Sequence, residues 1–253
     1  MNILGFDTCL DKMYVVLAKD DNILDSKIVE TTKEHYHSAF LISTIKDILK
    51  ENNLTPSEID VIATNIGPGS FTGIRACTTA ARVFAQASGA KVIGVSSLEI
   101  LSRLNEGERG KGKGKREKKD FASQNLNSSL LTPHSSLSSH LSPLTLVALD
   151  ARKDMAYVAV YENKKEILAP QAMLIDDLKE LIKQGRQFVI CDDKLAPLLG
   201  VLDADSVISY QQADKDLGKF LAEIAYEKLQ QGCETDWRKL HPLYIQPVRV
   251  NSK

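Results

Sequence analysis

The sequence predicts an α/β protein built from two similar lobes. Short apolar runs rich in β-branched residues alternate with segments of helical period, which is typical of strands and helices packed in layers. A second observation is a repeat: residues 3–17 align without a gap on residues 146–160. In each copy four apolar residues precede an Asp, with another Asp four positions later and a Tyr seven positions later.

The strands and helices follow from these patterns, in chain order. In the first half we expect strands at 3–6, 13–18, 23–29, 60–65 and 92–95, and helices at 38–50 and 72–88. In the second half we expect strands at 144–150, 155–161, 166–168 and 188–191, helices at 176–183 and 213–231, and an extended tail at 240–247.

Residues 105–143 differ in composition from everything around them. Residues 109–119 carry seven Lys or Arg against one Glu, and residues 121–143 hold eight serines. Such low-complexity sequence cannot bury enough apolar surface to offset the entropy of ordering it. A basic tract can contact RNA phosphates, but a solvated loop is favoured because no aromatic residues are interleaved. The predicted domains are therefore a first lobe at 1–104, an insertion at 105–143, and a second lobe at 144–253 with a C-terminal helix and tail.

The overall composition excludes several classes of protein. The 253 residues are 43% hydrophobic and 26% charged, with a formal net charge of −1, so the whole chain is not an electrostatic nucleic-acid binder. Its four cysteines are widely spaced without a CxxC pair, which argues against a zinc ribbon or a disulfide framework. We expect a cytoplasmic protein, without a signal peptide or a membrane span.

The glycine loop at residues 65–75 is the most distinctive stretch. Its sequence NIGPGSFTGIR follows a predicted buried strand and opens the helix at 72–88. A strand, a glycine loop and a helix N-terminus can present backbone N–H groups to an anion. A core helix behind a tight turn is an equally good interpretation of the local pattern. The loop lacks the Gly-Lys-Ser/Thr of a P-loop.

Each repeat begins as a β-hairpin with an acidic tip, and two lobes that open in this way resemble the actin, Hsp70 and sugar-kinase superfamily of ribonuclease H-like folds. Chance similarity between two amphipathic hairpins is the alternative. The superfamily resemblance implies that the hairpins face nucleotide phosphates and a metal ion. A vestigial nucleotide site would then comprise Asp7, Thr8, Gly67, Gly69, Ser70 and Asp150.

A narrower resemblance rests on five motifs: Asp7-Thr8, GPGSFTGIR at 67–75, GVSSL at 94–98, Asp150-Ala-Arg152 and Pro242-Leu-Tyr244. Together they are similar to the TsaB family, also called YeaZ, across nearly the whole chain outside 105–143. The basic insertion departs from that family's compact linker.

The TsaB resemblance implies a dimerisation subunit rather than an enzyme. It implies a TsaD-like catalytic paralogue and a TsaE-like ATPase as partners in forming threonylcarbamoyladenosine beside the anticodon of tRNA. It also implies a homodimer when the chain is alone, tRNA contact only through the complex, and no cofactor of its own. ATP or ADP and Mg²⁺ would act at the level of the complex.

The candidate catalytic groups are few. The catalytic paralogue has a His-x-x-x-His metal pair, whereas this chain has His35 and His37, whose spacing of two points the side chains to different sides of a helix. An extended backbone would bring them to one face, so a weak site is an open alternative. Ser70 has no identifiable His and Asp partners for a peptidase. We therefore expect no catalytic residue and no metal. The alternative function is a self-sufficient, nucleotide-dependent enzyme of the actin-like superfamily, either an ATPase or a transferase.

The helix at 72–88 is apolar over most of its circumference, so we expect it to contact two neighbours. The neighbouring stripe of Cys77, Ala81 and Phe84 would pack inward. A stripe of mostly small residues and the exposed side of the helix at 38–50 would meet a partner helix, with Val83 in the core as the competing possibility. The predicted partner interface is Phe40, Ile42, Arg75, Ala76, Thr79, Ala80, Arg82, Val83 and Ala87.

Overall fold

The computed structural model describes residues 1–30, 37–105, 144–184, 187–199, 207–212 and 216–245. In these ranges it contains two five-stranded mixed sheets. His35 and the insertion from residue 106 onward lie outside the described residues. No helix in the described ranges is both long and apolar enough to cross a membrane.

The first sheet has the strand order β3-β2-β1-β4-β5. Strand β2 pairs antiparallel with β1 and β3, and β4 pairs parallel with β1 and β5. Its strands are β1 (Asn2–Asp7), β2 (Lys12–Lys19), β3 (Asn22–Glu30), β4 (Val61–Gly67) and β5 (Lys91–Ser96). The helices that accompany it are α1 (Leu41–Glu51), α2 (Phe71–Ser88) and α3 (Ser97–Ser102). Short 3₁₀ turns lie at His37–Phe40 and Pro56–Glu58.

The second sheet has the matching order β10-β9-β6-β7-β8. Its strands are β6 (Leu144–Asp150), β7 (Met155–Glu162), β8 (Lys165–Leu174), β9 (Gln187–Cys191) and β10 (Val207–Ser209). The helices are α4 (Ile175–Gln184), α5 (Leu195–Leu198) and α6 (Leu217–Gln230), with 3₁₀ turns at Tyr210–Gln212 and Trp237–Lys239. The prediction of a duplicated, two-lobed α/β fold is confirmed.

Three apolar clusters hold the layers together. One lies between the outer face of the first sheet and helices α1 and α2, and a second lies between the outer face of the second sheet and helices α4 and α5. The third fills the space between the sheets, where α3 and α6 pack. A strand buried on both faces reads as a continuous apolar run, which is why β1, β2 and β6 were evident in the sequence.

Helix α6 differs from its predicted place in the second lobe. Leu217, Leu221 and Ile224 belong to the central cluster, and α6 packs against β1, β2, β4 and β5 of the first sheet. The close approach of Gly218 to Tyr14 and Val16 of β2 shows the same contact. The chain therefore returns to the first lobe after β10, and the division at residue 144 does not separate the packing units.

Asn105, the first residue of the predicted insertion, is part of the described structure. Asn105 is buried, and its Nδ2 donates a hydrogen bond of 2.8 Å to Thr145 Oγ1 at the start of β6. Asn105 therefore belongs to the packed part of the chain. The hydrogen bond joins the two described segments that precede and follow residues 106–143.

Polar contacts join the lobes on both sides of the central cluster. Arg103 donates two hydrogen bonds to Glu227, and Lys164 of the β7–β8 turn donates one to the same carboxylate. On the cleft side, Asp11 Oδ2 accepts hydrogen bonds from Tyr210 Oη at 2.8 Å and Gln211 Nε2 at 2.6 Å. These contacts, together with the shared core, fix one lobe against the other.

Candidate functional site

The two predicted acidic hairpins exist, but they differ by one residue in register. Asp7 pairs with Tyr14 in the first, whereas Asp150 pairs with Ala156 in the second. The tighter second turn places Arg152, Lys153 and Asp154 at positive φ. Because side chains alternate along a strand, a shift of one residue reverses the faces. Asp7 therefore lies on the face of the first sheet that meets the central cluster. Asp150 lies on the face of the second sheet that points away from that cluster.

Asp7 is enclosed rather than open to the cleft. It is 1% exposed, and its Oδ1 accepts a hydrogen bond of 2.6 Å from the Cys9 N–H. Its Oδ2 accepts a hydrogen bond of 2.9 Å from Asn65 Nδ2. The amide oxygen of Asn65 in turn accepts from the Gly67 N–H and from Ser97 Oγ. This network ties the ends of β1, β4 and β5 together, which gives the carboxylate a structural role.

The glycine loop packs against the first hairpin. A Cβ atom at Gly73 would lie 2.7 Å from the Thr8 carbonyl carbon and closer still to its oxygen, and one at Gly69 would approach the Cys9 oxygen. The Ser70 N–H donates to the Cys9 oxygen at 2.8 Å. Ser70 Oγ accepts from the Gly73 N–H as the cap of α2. The glycines thus allow the backbone of the hairpin turn to approach the helix N-terminus, where two N–H groups are already engaged.

Thr8 completes this contact. It is fully buried, and its Oγ1 donates a hydrogen bond of 2.9 Å to the Gly73 oxygen. Its N–H donates to Cys77 Sγ at 3.1 Å. Of the two interpretations of the local pattern, these contacts favour the core helix behind a tight turn over the anion cradle.

An interlobe cleft lies outside this packed turn. A cavity of about 250 Å³ is lined by Gly69, Ser70 and Asp150 among the predicted residues, but not by Asp7, Thr8 or Gly67. Its other polar lining includes Asp11, Arg152, Asp192, Lys194 and Gln211. Lys194 Nζ lies 3.6 Å from Asp150 Oδ2, and the Arg152 N–H donates to Asp150 Oδ1. The predicted nucleotide site is therefore divided: half of it is packed inside the first lobe and half of it lines the cleft.

The outward side of α2 is exposed rather than packed against the hairpin. Val83 is 59% exposed, so the competing possibility that it lies in the core is wrong. Cys77 and Ala81 are buried and Phe84 is half-buried on the inward side, as predicted. Thr79 and Ala87 are exposed, whereas Ala76, Ala80 and Arg82 are half-buried. We call the outward surface of α1 and α2, with the 3₁₀ turn that precedes α1, the α1–α2 face.

Two further apolar residues of the α1–α2 face come from the start of α1. Phe40 and Ile42 are 40% and 45% exposed, and the 3₁₀ turn that contains Phe40 contacts α2. Arg82 Nη2 donates to the Arg238 oxygen on the other flank of α2. The structure thus brings Phe40, Ile42 and Val83 to the surface of neighbouring helical elements.

The sequence reasoning missed an aromatic cluster at the N-terminal end of the α1–α2 face. Phe71 and Tyr244 are both about half-exposed, with ring centroids 5.8 Å apart. The Arg75 guanidinium lies 4.0 Å from the Phe71 ring centroid, and its Nε donates to Tyr244 Oη at 3.3 Å. Phe71 could have been noticed as a large aromatic residue in the first turn of a capped helix. Tyr244 is 169 positions away from Arg75, and no local pattern connects them.

The sequence reasoning also missed a buried group of metal-ligating atoms. A carboxylate oxygen of Asp7 and the sulfur atoms of Cys9 and Cys77 all lie within 4.8 Å of one another. Burial, together with the neighbouring Cys77 and Asp7, raises the pKa of the Cys9 thiol well above its usual value. Cys9 and Cys77 are 68 positions apart in the chain, so no spacing motif could reveal the group.

Comparison with known proteins finds similarity to proteins named for threonylcarbamoyladenosine on tRNA. The family model for TsaD, tRNA N6-adenosine threonylcarbamoyltransferase, matches residues 24–112. The TsaB protein of Bacillus subtilis, named for tRNA threonylcarbamoyladenosine biosynthesis, is 23% identical over 188 residues, which cover 73% of this chain and 67% of the relative. The crystal structure of YeaZ from Pseudomonas aeruginosa aligns with a TM-score of 0.67 at 18% identity, covering 96% of this chain and 99% of that one.

The chain is therefore similar to the TsaB (YeaZ) family in sequence and in fold. A second Pseudomonas aeruginosa structure, of an uncharacterized protein with similarity to the peptidase YeaZ, aligns with a TM-score of 0.70 at 19% identity and covers 97% of this chain and 99% of that one. At this identity the two structures establish a shared fold. The TsaD match covers the α1–α2 face together with the glycine loop.

Proposed function

We propose that this chain is a non-catalytic subunit in the biosynthesis of threonylcarbamoyladenosine on tRNA. Its role would be to bind and support a TsaD-like transferase through the α1–α2 face. The observation that carries the proposal is the exposure of Phe40, Ile42 and Val83 on adjacent helical elements. Apolar side chains exposed together on one surface mark a site of protein association.

The composition of the α1–α2 face supports a helical partner. The small side chains of Ala76, Ala80 and Ala87 allow another helix to approach α2 closely, with the separation set by the residues in contact. Arg75 and Arg82 border this strip, and arginine and aromatic residues are enriched at protein interfaces. A TsaD-like paralogue would carry a comparable helix pair, because the TsaD family model matches this same segment. A second copy of this chain would serve as partner when no paralogue is present.

The packed hairpin supports the non-catalytic role. The backbone N–H groups of Ser70 and Gly73 donate to Cys9 and to the Ser70 side chain. Phosphate binding at a helix N-terminus needs such N–H groups to point at the ligand. The alternative, a self-sufficient nucleotide-dependent enzyme, would require the hairpin to withdraw from α2. ATP, Mg²⁺, a TsaE-like ATPase and the tRNA would instead engage at the level of the complex.

The experiment is reconstitution with purified components. The chain alone, supplied with ATP, Mg²⁺ and zinc or iron, should show no ATP turnover above the buffer and no modification of tRNA. Addition of a TsaD-like transferase should give a stable complex on gel filtration. With a TsaE-like ATPase and a threonylcarbamoyl donor, modification of tRNA should then depend on this chain. ATP turnover or tRNA modification by the chain alone would favour the enzyme alternative.

A further inference from the structure

A compact set of metal-ligating side chains lies at the junction of β1, the first hairpin turn and α2. Asp7 and Cys9 flank Thr8 in the turn, and Cys77 faces them from the second turn of α2. All three residues are buried, and their ligand atoms lie within 4.8 Å of one another. We call this set the Asp7–Cys9–Cys77 cluster.

The donor set of the cluster has a specific chemical preference. Two sulfur atoms and one carboxylate oxygen suit Zn²⁺, which takes Cys and Asp ligands in tetrahedral sites. Magnesium and calcium prefer all-oxygen sites and are not favoured by this set. With zinc–sulfur bonds of about 2.3 Å, two tetrahedral sulfur ligands lie roughly 3.8 Å apart. Tetrahedral sulfur and oxygen ligands lie roughly 3.5 Å apart, so the cluster needs a contraction of at most about 1.3 Å to hold the ion.

Surrounding hydrogen bonds already orient these ligands. The Thr8 N–H donates to Cys77 Sγ at 3.1 Å, and the Cys9 N–H donates to Asp7 Oδ1 at 2.6 Å. Asn65 Nδ2 fixes the other carboxylate oxygen at 2.9 Å. Hydrogen bonds of this kind hold metal ligands in place and tune the metal site.

The cluster is also connected to the surface. Cys9 lines the 250 Å³ cleft cavity, together with Asp11, Ser70 and Asp150. We infer that an ion would enter from this side, because Cys9 is the member of the cluster that lines the cavity. Three protein ligands with one open position is a common arrangement for zinc.

We propose that the Asp7–Cys9–Cys77 cluster binds one thiophilic divalent cation, Zn²⁺, which joins the first hairpin turn to helix α2. This departs from the expectation that the chain has no metal of its own, which rested on the spacing of His35 and His37 and on the wide spacing of the cysteines. Zn²⁺ binding displaces the thiol protons of Cys9 and Cys77 to solvent, so affinity should fall as the pH is lowered. The proposal is independent of the partner-binding role, because Cys77 is buried on the side of α2 that faces away from the exposed Val83.

The test is a metal titration of the full chain, kept reduced and freed of metal with a chelator. Zn²⁺ should bind with a stoichiometry of one per chain, measured by competition with a chromophoric chelator. Co²⁺ should produce thiolate-to-metal charge-transfer absorption. Cys9→Ser and Cys77→Ser should each weaken zinc binding by about tenfold or more and remove the cobalt band. Cys191→Ser, at an equally buried cysteine in the second lobe, is the matched control and should change neither.

A second measurement needs no variant. In the unaltered chain, Zn²⁺ should slow alkylation of Cys9 and Cys77, mapped by peptide mass spectrometry, and should leave the alkylation of Cys233 unchanged. The proposal is overturned if the unaltered chain binds no zinc at micromolar concentration. It is equally overturned if zinc does not protect Cys9 and Cys77, or if binding survives both cysteine substitutions and is lost in His35→Ala.

Discussion

The two sides of helix α2 differ in their contacts: one is packed against the first hairpin, and the other is exposed. On its inward side, Gly73 and Cys77 contact the first hairpin so closely that backbone touches backbone. On its outward side, Val83 and Ala87 are exposed. The backbone N–H groups of Ser70 and Gly73 at the start of α2 make internal hydrogen bonds. The surface that we propose binds a partner lies on the opposite side of the same helix.

This difference shows what the glycines of the loop do in the folded chain. A loop that cradles phosphate needs glycines so that the ligand can approach the backbone. Here the same freedom lets the Thr8-Cys9 backbone occupy that position. A glycine-rich loop before a helix is thus evidence of close approach, and the structure must show whether a ligand or another segment of chain makes it.

The largest loss of stability should come from adding a side-chain atom on the packed side of α2. Gly73→Ala would place a Cβ against the Thr8 carbonyl group, which is backbone and cannot rotate away. We expect a loss of about 3 kcal/mol or more in the free energy of unfolding. At about 2–4 °C per kcal/mol, the melting temperature should fall by roughly 6–12 °C. The control is Gly89→Asn at the other end of α2, where no atom lies near and Asn tolerates a left-handed conformation. Equal melting temperatures for the two variants would contradict the packed-turn account.

A smaller loss of stability should distinguish Thr8, which packs against α2, from Thr79 on the exposed side of that helix. Thr8→Val keeps the shape of the side chain but removes the buried hydrogen bond to the Gly73 oxygen. We expect it to cost about 1–2 kcal/mol. Thr79→Val, on the exposed side of α2, should stay within about 0.5 kcal/mol of the unaltered chain. Urea unfolding of both variants measures the difference, and a larger loss for Thr79→Val would reverse our assignment of the two sides.

The smallest change in stability should come from replacing residues 106–143. We expect that replacing residues 106–143 with a short Gly/Ser linker leaves the fold intact, because Asn105 and Thr145 are already hydrogen-bonded. Loop closure entropy changes by only about 0.6 kcal/mol for each halving of loop length. A fall in melting temperature of more than about 8 °C would show that the insertion contributes to the core.

The sequence allowed the fold to be predicted where the signal is local. Helix α2 was bounded to within one residue, because its apolar stripe ends at Gly89, which adopts positive φ. Strands β1, β2 and β6 were evident as uninterrupted apolar runs. Helical periodicity placed Val83 on the outward stripe with the core as a competing possibility, and its exposure decides between the two.

Features that depend on distant pairing were not predictable in this way. Nothing within residues 217–230 indicates which sheet α6 covers, since both sheets offer an apolar face. The gapless repeat implied equal registers, but a turn with three residues at positive φ shortens the second hairpin by one position. The meeting of Cys9 with Cys77 and of Arg75 with Tyr244 requires the folded chain.

The central claim is that the α1–α2 face binds a partner while the packed side of α2 maintains the fold. Its most direct test is gel filtration of Val83→Glu with a TsaD-like transferase, alongside circular dichroism of the variant alone. The matched control is Ile167→Glu on β8, since Ile167 is an exposed apolar residue of the second lobe at 42%. We predict that both variants fold and that only Val83→Glu fails to co-elute, because burying an unpaired carboxylate costs several kcal/mol. A folded Val83→Glu chain that still co-elutes with the transferase would contradict the claim.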